Sequence, residues 1–411
     1  MAIGSFGGGG AIEFASRLQT DVTNDLLTRG NPDNYDVGFI FGGTALRKDR
    51  SVAEAPREIL AEVDTPYVPA QAQTMLKQLI ARLMVNRTKS RQYPVEYLEQ
   101  KHVNLDEPYP NDSSYFYGSD NAGNAFITRM AFRGPKRPHE YWFDFCFPGV
   151  GFFGIKDDPG PDGAGFQMGT LQWVPVEVGK KWRITYQGPV KDADGQPHTC
   201  KADLLFTGEH PLYDYAKSSD RNLIAKAIAS EKWTKQFFAA MKDTHQVHYE
   251  QTGNFIGTIE LDGKRYDLDL KASRDHSFGS RNWLTWDRHY WFTGISDNGY
   301  HFTVTTIKWQ FLGRLTAGFI TGPDGVTDAI VETTDLETIH RERLKPDHGT
   351  IEILTRGGRK HLLEFQRHGE FPYLHDGKYM MREGIATYRL NGVDGLGMAE
   401  YGFHADLYRV D

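Results

Sequence analysis

The chain has 411 residues, enough for two or three domains, and its 39% hydrophobic and 25% charged content is that of a water-soluble globular protein. A formal charge of −7 supplies no basic footprint, which argues against a nucleic-acid partner and against an anionic membrane surface. The 13% aromatic share and 43 glycines lean toward a β-rich architecture.

Two cysteines, Cys146 and Cys200, make neither a disulfide framework nor a closely spaced metal pair. The glycine-rich start has no basic n-region or apolar core, and no window approaches the ~18 apolar residues of a spanning helix. A cytoplasmic location with reduced thiols is the resulting expectation.

Residues 1–110 read as a flexible tail followed by helices at 52–63 and 70–85. In the second helix Met75, Leu76, Leu79, Ile80, Leu83 and Met84 form an apolar stripe expected to pack on a β body. Residues 111–243 carry short aromatic or β-branched runs at 115–118, 125–133, 140–147, 165–174, 182–187 and 202–206, with turn residues between them, as in an antiparallel meander. A helix at 225–241 connects this block to the next.

Residues 244–411 form a second β block. A hairpin at 249–270 feeds the densest polar cluster of the chain, Arg274-Asp275-His276-Ser277-Phe278-Gly279-Ser280-Arg281-Asn282-Trp283. Further strands follow at 289–295, 300–311, 314–321, 329–334, 350–355, 360–365, 384–390 and 398–403. Two comparable blocks in tandem predict a duplicated sheet architecture. The cluster fits either a functional site aimed by a rigid sheet or an ion-pair staple between strands.

The series Tyr249-Glu250-Gln251, Gly257-Thr258-Ile259, the cluster at 274–283 and Asp394-Gly395-Leu396-Gly397-Met398-Ala399-Glu400-Tyr401-Gly402 resembles the tandem lipocalin-like superfamily of carotenoid 1,2-hydratase and lipocalin-like Diels–Alderases. More closely it resembles a branch with an Asp-His-Ser-Trp-Gly-x-Arg signature, in which Phe278 stands here for the Trp. The resemblance covers about residues 115–411. It implies two tandem lipocalin-like antiparallel barrels, mainly β, with the N-terminal helices as an elaboration. It also implies large apolar substrates handled with no metal or redox cofactor.

Proton transfer to and from an unsaturated lipid needs a buried carboxyl and a group to pass the proton on, and Asp275, His276 and Glu250 are the candidates. Adjacent residues on a strand face opposite ways, so Asp275 and His276 share a cavity only if the strand breaks near Gly279. Arg281 could clamp a carboxylate or close an ion pair. Glu400 lies on the last strand, which neighbours the first in a closed barrel. Trp283, Tyr290, Trp291 and Trp309 would supply aromatic walls able to stabilise a cation. His245 and His248 point to opposite faces of a strand and read as solvated or capping residues, with no metal site expected.

The function expected is a cofactor-independent lyase, isomerase or cyclase of a terpenoid, polyene or fatty-acyl substrate. The alternative is a non-catalytic carrier of a hydrophobic small molecule. No nucleic acid and no transmembrane segment enter either reading, and a homodimer is left open.

Overall fold

A computed structural model describes residues 70–87, 93–155, 162–335 and 346–408, so the expected N-terminal tail and the helix at 52–63 lie outside the described residues. Nineteen strands, β1 to β19, build two sheets. The first sheet contains β1 (Pro110–Ser119), β2 (Ala125–Phe132), β3 (Glu140–Phe147), β4 (Gly151–Gly154), β5 (Phe166–Met168), β6 (Leu171–Glu177), β7 (Lys181–Asp192), β8 (Pro197–Gly208), β9 (Tyr213–Asp214), β10 (Gln246–Leu261) and β11 (Lys264–Ser280). Its hydrogen-bonded order is β4-β3-β2-β1-β11-β10-β8-β7-β6-β5. The end of β7 also pairs with β4 through Phe153↔Asp192 and Gly154↔Lys191, which brings the sheet round on itself.

The second sheet is a closed antiparallel barrel of β12 (Trp286–Ser296), β13 (His301–Trp309), β14 (Leu315–Thr321), β15 (Thr327–Thr333), β16 (His348–Thr355), β17 (Lys360–His375), β18 (Tyr379–Leu390) and β19 (Val393–His404). The mainly β, two-barrel architecture is as expected. Sheet membership moves one boundary, however. The hairpin β10–β11 pairs with β8 and β1, so the Asp275-His276 motif belongs to the first barrel and not to a second block starting at 244. The chain leaves the first barrel for helices and returns with a long hairpin to complete it, and the second barrel begins only at Trp286.

Strand burial shows where the barrels meet. β17 alternates between exposed and buried residues through most of its length, the period-2 signature of one face on a core and one in water. By contrast β2 and β12 are buried at every position. Such strands have a barrel interior on one side and the other barrel on the opposite side. The first interior is filled by Phe116, Phe126, Phe143, Trp182, Phe206, Phe255 and Leu270, the second by Tyr290, Phe292, Phe302, Ile351 and Phe365. A third apolar cluster, including Tyr115, Ile127, Trp142, Trp291, Trp309 and Met398, occupies the seam between them.

The connector is two helices, Arg221–Ser230 and Lys235–Asp243, where the sequence predicts one. Thr234 caps the second by accepting from Phe237 N–H at 3.0 Å, and this local bond competes with continuing the first helix. The helix Ala70–Arg87 buries Ala81, Met84 and Val85, and Ala81 and Val85 join Ala225 and Ile228 in the seam cluster. Met75 and Leu79 of the expected stripe stay exposed. Among the described residues no helix is long and apolar enough to cross a membrane.

Candidate active site at the barrel seam

The strand β11 runs unbroken to Ser280, so its residues keep strict alternation through the motif. Gly279 has φ +134°, and a Cβ there would lie 2.5 Å from the His245 carbonyl oxygen. The glycine permits close approach of β10 without ending the strand. Leu268, Leu270 and Ala272 face the first interior, and Arg274, His276 and Phe278 follow them at the same spacing. Asp275 and Ser277 therefore face the seam. The break near Gly279 on which a shared cavity for Asp275 and His276 depends is absent, and the two residues face opposite ways.

On the interior side most polar groups are engaged with protein, Arg274 Nη2 being an exception. His276 Nε2 meets Asp112 Oδ1 at 2.8 Å, and its Nδ1 lies 3.0 Å from the Leu98 carbonyl and 2.9 Å from Tyr249 Oη. Arg274 Nη1 donates to Glu99 Oε1 at 3.0 Å and its Nε to Gln251 Oε1 at 2.9 Å. Tyr249 and Trp182 also donate to Glu99, at 2.8 and 2.6 Å. This network ties the segment around the helix Val95–Leu98 into the first barrel. Burial works to raise the Glu99 pKa, but Arg274 and these donors hold it below the ordinary range.

The seam side is different. Asp275 lies in register with Tyr115 on β1 and Glu250 on β10. Its side chain keeps accessible surface, and no hydrogen bond to its carboxylate is found among the described residues. Burial raises its pKa from 3.8 to about 6, against the pull of Arg281 and with the push of Glu400. Glu250 Oε1 accepts from Tyr215 Oη at 2.7 Å and Trp291 Nε1 at 2.9 Å and lies 3.0 Å from His248 Nε2, while its Oε2 is buried without a partner. Burial lifts this carboxyl from 4.5 to about 7, partly offset by the Tyr215 hydrogen bond.

The facing wall comes from the second barrel. Glu383 on β18 and Glu400 on β19 are directly opposite each other across the strand pair. Tyr115 Oη, from the first barrel, donates to Glu383 Oε2 at 3.3 Å, and Glu383 Oε1 has no partner. Burial and the adjacent Glu400 carboxylate drive the Glu383 pKa well above the ordinary carboxylate range. Glu400 Oε1 bonds His289 Nε2, and His289 Nδ1 lies 2.5 Å from Tyr379 Oη. A carboxyl pair is thus continued by an imidazole and a phenol.

Arg281 Nη2 donates to Gln246 Oε1 at 3.0 Å and Ser277 Oγ at 2.5 Å, and its guanidinium lies 5.0 Å from the Trp283 ring centre. Burial, with Arg129 nearby, lowers its pKa to about 10. The indole N–H groups of Trp283, Trp286 and Trp309, Arg129 Nη2, Arg281 Nε and His248 Nδ1 are buried without hydrogen-bond partners among the described residues.

Of the residues singled out in the sequence, Asp275, Glu250, Arg281, Trp283, Trp291, Trp309 and Glu400 come together at the seam. His276 faces the first interior, and Tyr290 faces the second, where its hydroxyl donates to the Thr334 carbonyl at 3.0 Å. Both leave the candidate set for one reason: alternation turns each away from its neighbour, Asp275 or Trp291. His248 is buried beside Glu250 and is neither solvated nor a cap; burial drives its pKa well below the ordinary value. His245 is the partly exposed one, with Nε2 3.0 Å from Glu107.

Glu383, His289, Tyr379, Tyr115 and Arg129 were not anticipated. The available signal was a lone charge in an otherwise apolar strand face, as with Arg129 between Ile127 and Ala131 or Glu383 between Met381 and Ile385.

Residues 96–405 match the family described as Domain of unknown function (DUF7064), and the chain belongs to that family. No curated protein matches the chain. Among solved structures, a putative AttH from Nitrosomonas europaea superposes with a TM-score of 0.51 at 11% identity, covering 77% of this chain and 98% of its own, a likeness of fold. Kievitone hydratase from Nectria haematococca gives 0.43 at 10% identity, covering 74% and 93%. CghA gives 0.44 at 10%, covering 72% and 88%.

Proposed function

We propose that this family member is an acid–base enzyme, a lyase of the hydratase type or an isomerase or cyclase, acting on an unsaturated lipophilic substrate held between the barrels. The observation that carries this is a pair of facing buried carboxyls, Glu383 on one wall of the seam, its pKa driven well above the ordinary range and its Oε1 without a partner among the described residues, and Asp275, at about 6, on the other. Titratable groups whose surroundings hold them in opposite states at one pH divide the roles of acid and base.

In this account Glu383 protonates one carbon of a double bond. Trp291, Trp142 and Trp283 shield the cation that develops. Asp275 then takes a proton, either from an adding water in hydration or from a neighbouring carbon in isomerisation. Glu400, His289 and Tyr379 return the proton to Glu383. Glu250, at about 7, sits beside Asp275 and keeps a second proton within reach. Arg281 orients any carboxylate or oxygen of the substrate. His276 acts through structure alone, holding the first barrel closed. The chemistry asks only for proton donors and acceptors, which these side chains supply.

The test incubates lipophilic cell extracts with the protein in D2O and follows them by mass spectrometry. Compounds that gain deuterium, or the elements of D2O, with wild type but not with Asp275→Asn or Glu383→Gln would support the reading. Recovery of a bound apolar compound, chemically unaltered by all three proteins, would favour a carrier.

A further inference from the structure

We infer that Glu209, His210 and His301 form a site for a divalent transition metal of the zinc class where the two barrels adjoin. Their ligand atoms lie within 4.8 Å of one another. The site is composite: Glu209 and His210 directly follow β8 of the first sheet, whereas His301 opens β13 of the second. An ion held there would clasp one barrel to the other.

The geometry is prepared from behind. His301 is buried, and its Nδ1 lies 2.6 Å from the hydroxyl of the equally buried Thr252, which orients Nε2 toward Glu209 Oε2 at 2.9 Å. Metal-bound imidazoles are commonly oriented this way through the other ring nitrogen. The backbones of both remaining ligands are pinned to β10: Glu209 N–H donates to the Thr252 carbonyl at 3.1 Å, and Gln251 Nε2 donates to the His210 carbonyl at 2.6 Å.

The rings of His210 and His301 are 4.4 Å apart, nearly perpendicular, and share one carboxylate. Neutral imidazoles are the form that binds metal.

Two imidazoles and a carboxylate are a zinc-type donor set that leaves a coordination position open. Tetrahedral bonds of about 2.0–2.2 Å put ligand atoms roughly 3.3–3.6 Å apart. The Nε2–Oε2 contact must therefore open by a few tenths of an ångström while the looser contacts close. The half-exposed Glu209 side chain has the freedom to do so.

The experiment strips the full-length protein with a chelator and titrates it with Zn2+ by calorimetry and with Co2+ by visible absorption. Wild type should bind one equivalent with micromolar or tighter affinity, show the intense visible bands of tetrahedral Co2+, and gain melting temperature with Zn2+. Thr252→Val should weaken binding about tenfold or more, as loss of an orienting group does. His210→Gln and Glu209→Gln should weaken it further and abolish the gain in melting temperature with Zn2+. If His210→Gln does not fold, the half-exposed Glu209→Gln carries the test. Absence of saturable binding, or binding undiminished in Glu209→Gln, would overturn the site.

Discussion

Asp275→Asn should make the protein more stable at pH 8 while abolishing its reactivity. The side chain lies at the seam with no hydrogen bond to its carboxylate among the described residues, and its pKa is raised from 3.8 to about 6. A shift of roughly two units corresponds to about 3 kcal/mol spent on holding the charged form in the folded state. Removing the anion also takes a neutralising charge from Arg281, whose own pKa is already down to about 10. That loss offsets part of the gain and leaves about 1–2 kcal/mol, or roughly 1–3 °C in melting temperature for a chain of this length.

The pH dependence follows from linkage. A raised folded-state pKa means that the folded protein keeps the proton longer than the unfolded chain. Wild-type stability therefore falls as pH climbs from about 4 to about 6 and then stays level. The advantage of the variant should grow across that window, remain above it, and vanish below about pH 4. Calorimetry of both proteins from pH 4 to 8 measures it. A lower melting temperature for Asp275→Asn at pH 8 would show that Asp275 is a structural partner of Arg281 and refute the reasoning.

Three further outcomes are expected. Glu383→Gln, which keeps shape and removes the transferable proton, should lower turnover about 10²–10⁴-fold with no loss of melting temperature, read by the deuterium assay and calorimetry. His276→Ala should instead cost about 2–4 kcal/mol of stability by stranding the buried Asp112 carboxylate, so urea unfolding should detect it before any kinetic assay does. Gly279→Ala should cost about 2 kcal/mol, because the new Cβ would sit 2.5 Å from the His245 oxygen at φ +134°; an unchanged urea midpoint would contradict the close approach of β10 and β11.

Much of the architecture was legible because strand periodicity survives in the sequence. The two β blocks and the connecting helical region are readable from aromatic and β-branched runs between turn residues. Sheet membership was not. Nothing local in 246–280 says that this hairpin pairs back to β8 and β1 instead of forward, since β pairing is a long-range choice.

The same limit governs the site. Asp275, Glu250, Trp291 and Glu400 were readable as polar or aromatic residues near one motif. Glu383 and His289 became visible only when the second barrel closed and put β12, β18 and β19 side by side. Alternation alone could have separated Asp275 from His276, and Trp291 from Tyr290, had the strands been taken as unbroken. The Glu209–His210–His301 group was beyond sequence reasoning, because the barrel seam brings together residues far apart in the chain.

The most direct measurement is a carboxyl 13C NMR titration of protein labelled at Asp Cγ and Glu Cδ, assigned with Asp275→Asn and Glu383→Gln. The account predicts that Asp275 titrates near pH 6 while Glu383 titrates well above the ordinary carboxylate range. Both carboxyls fully ionised by pH 5 would contradict it, since the seam would then hold no acid to oppose to its base.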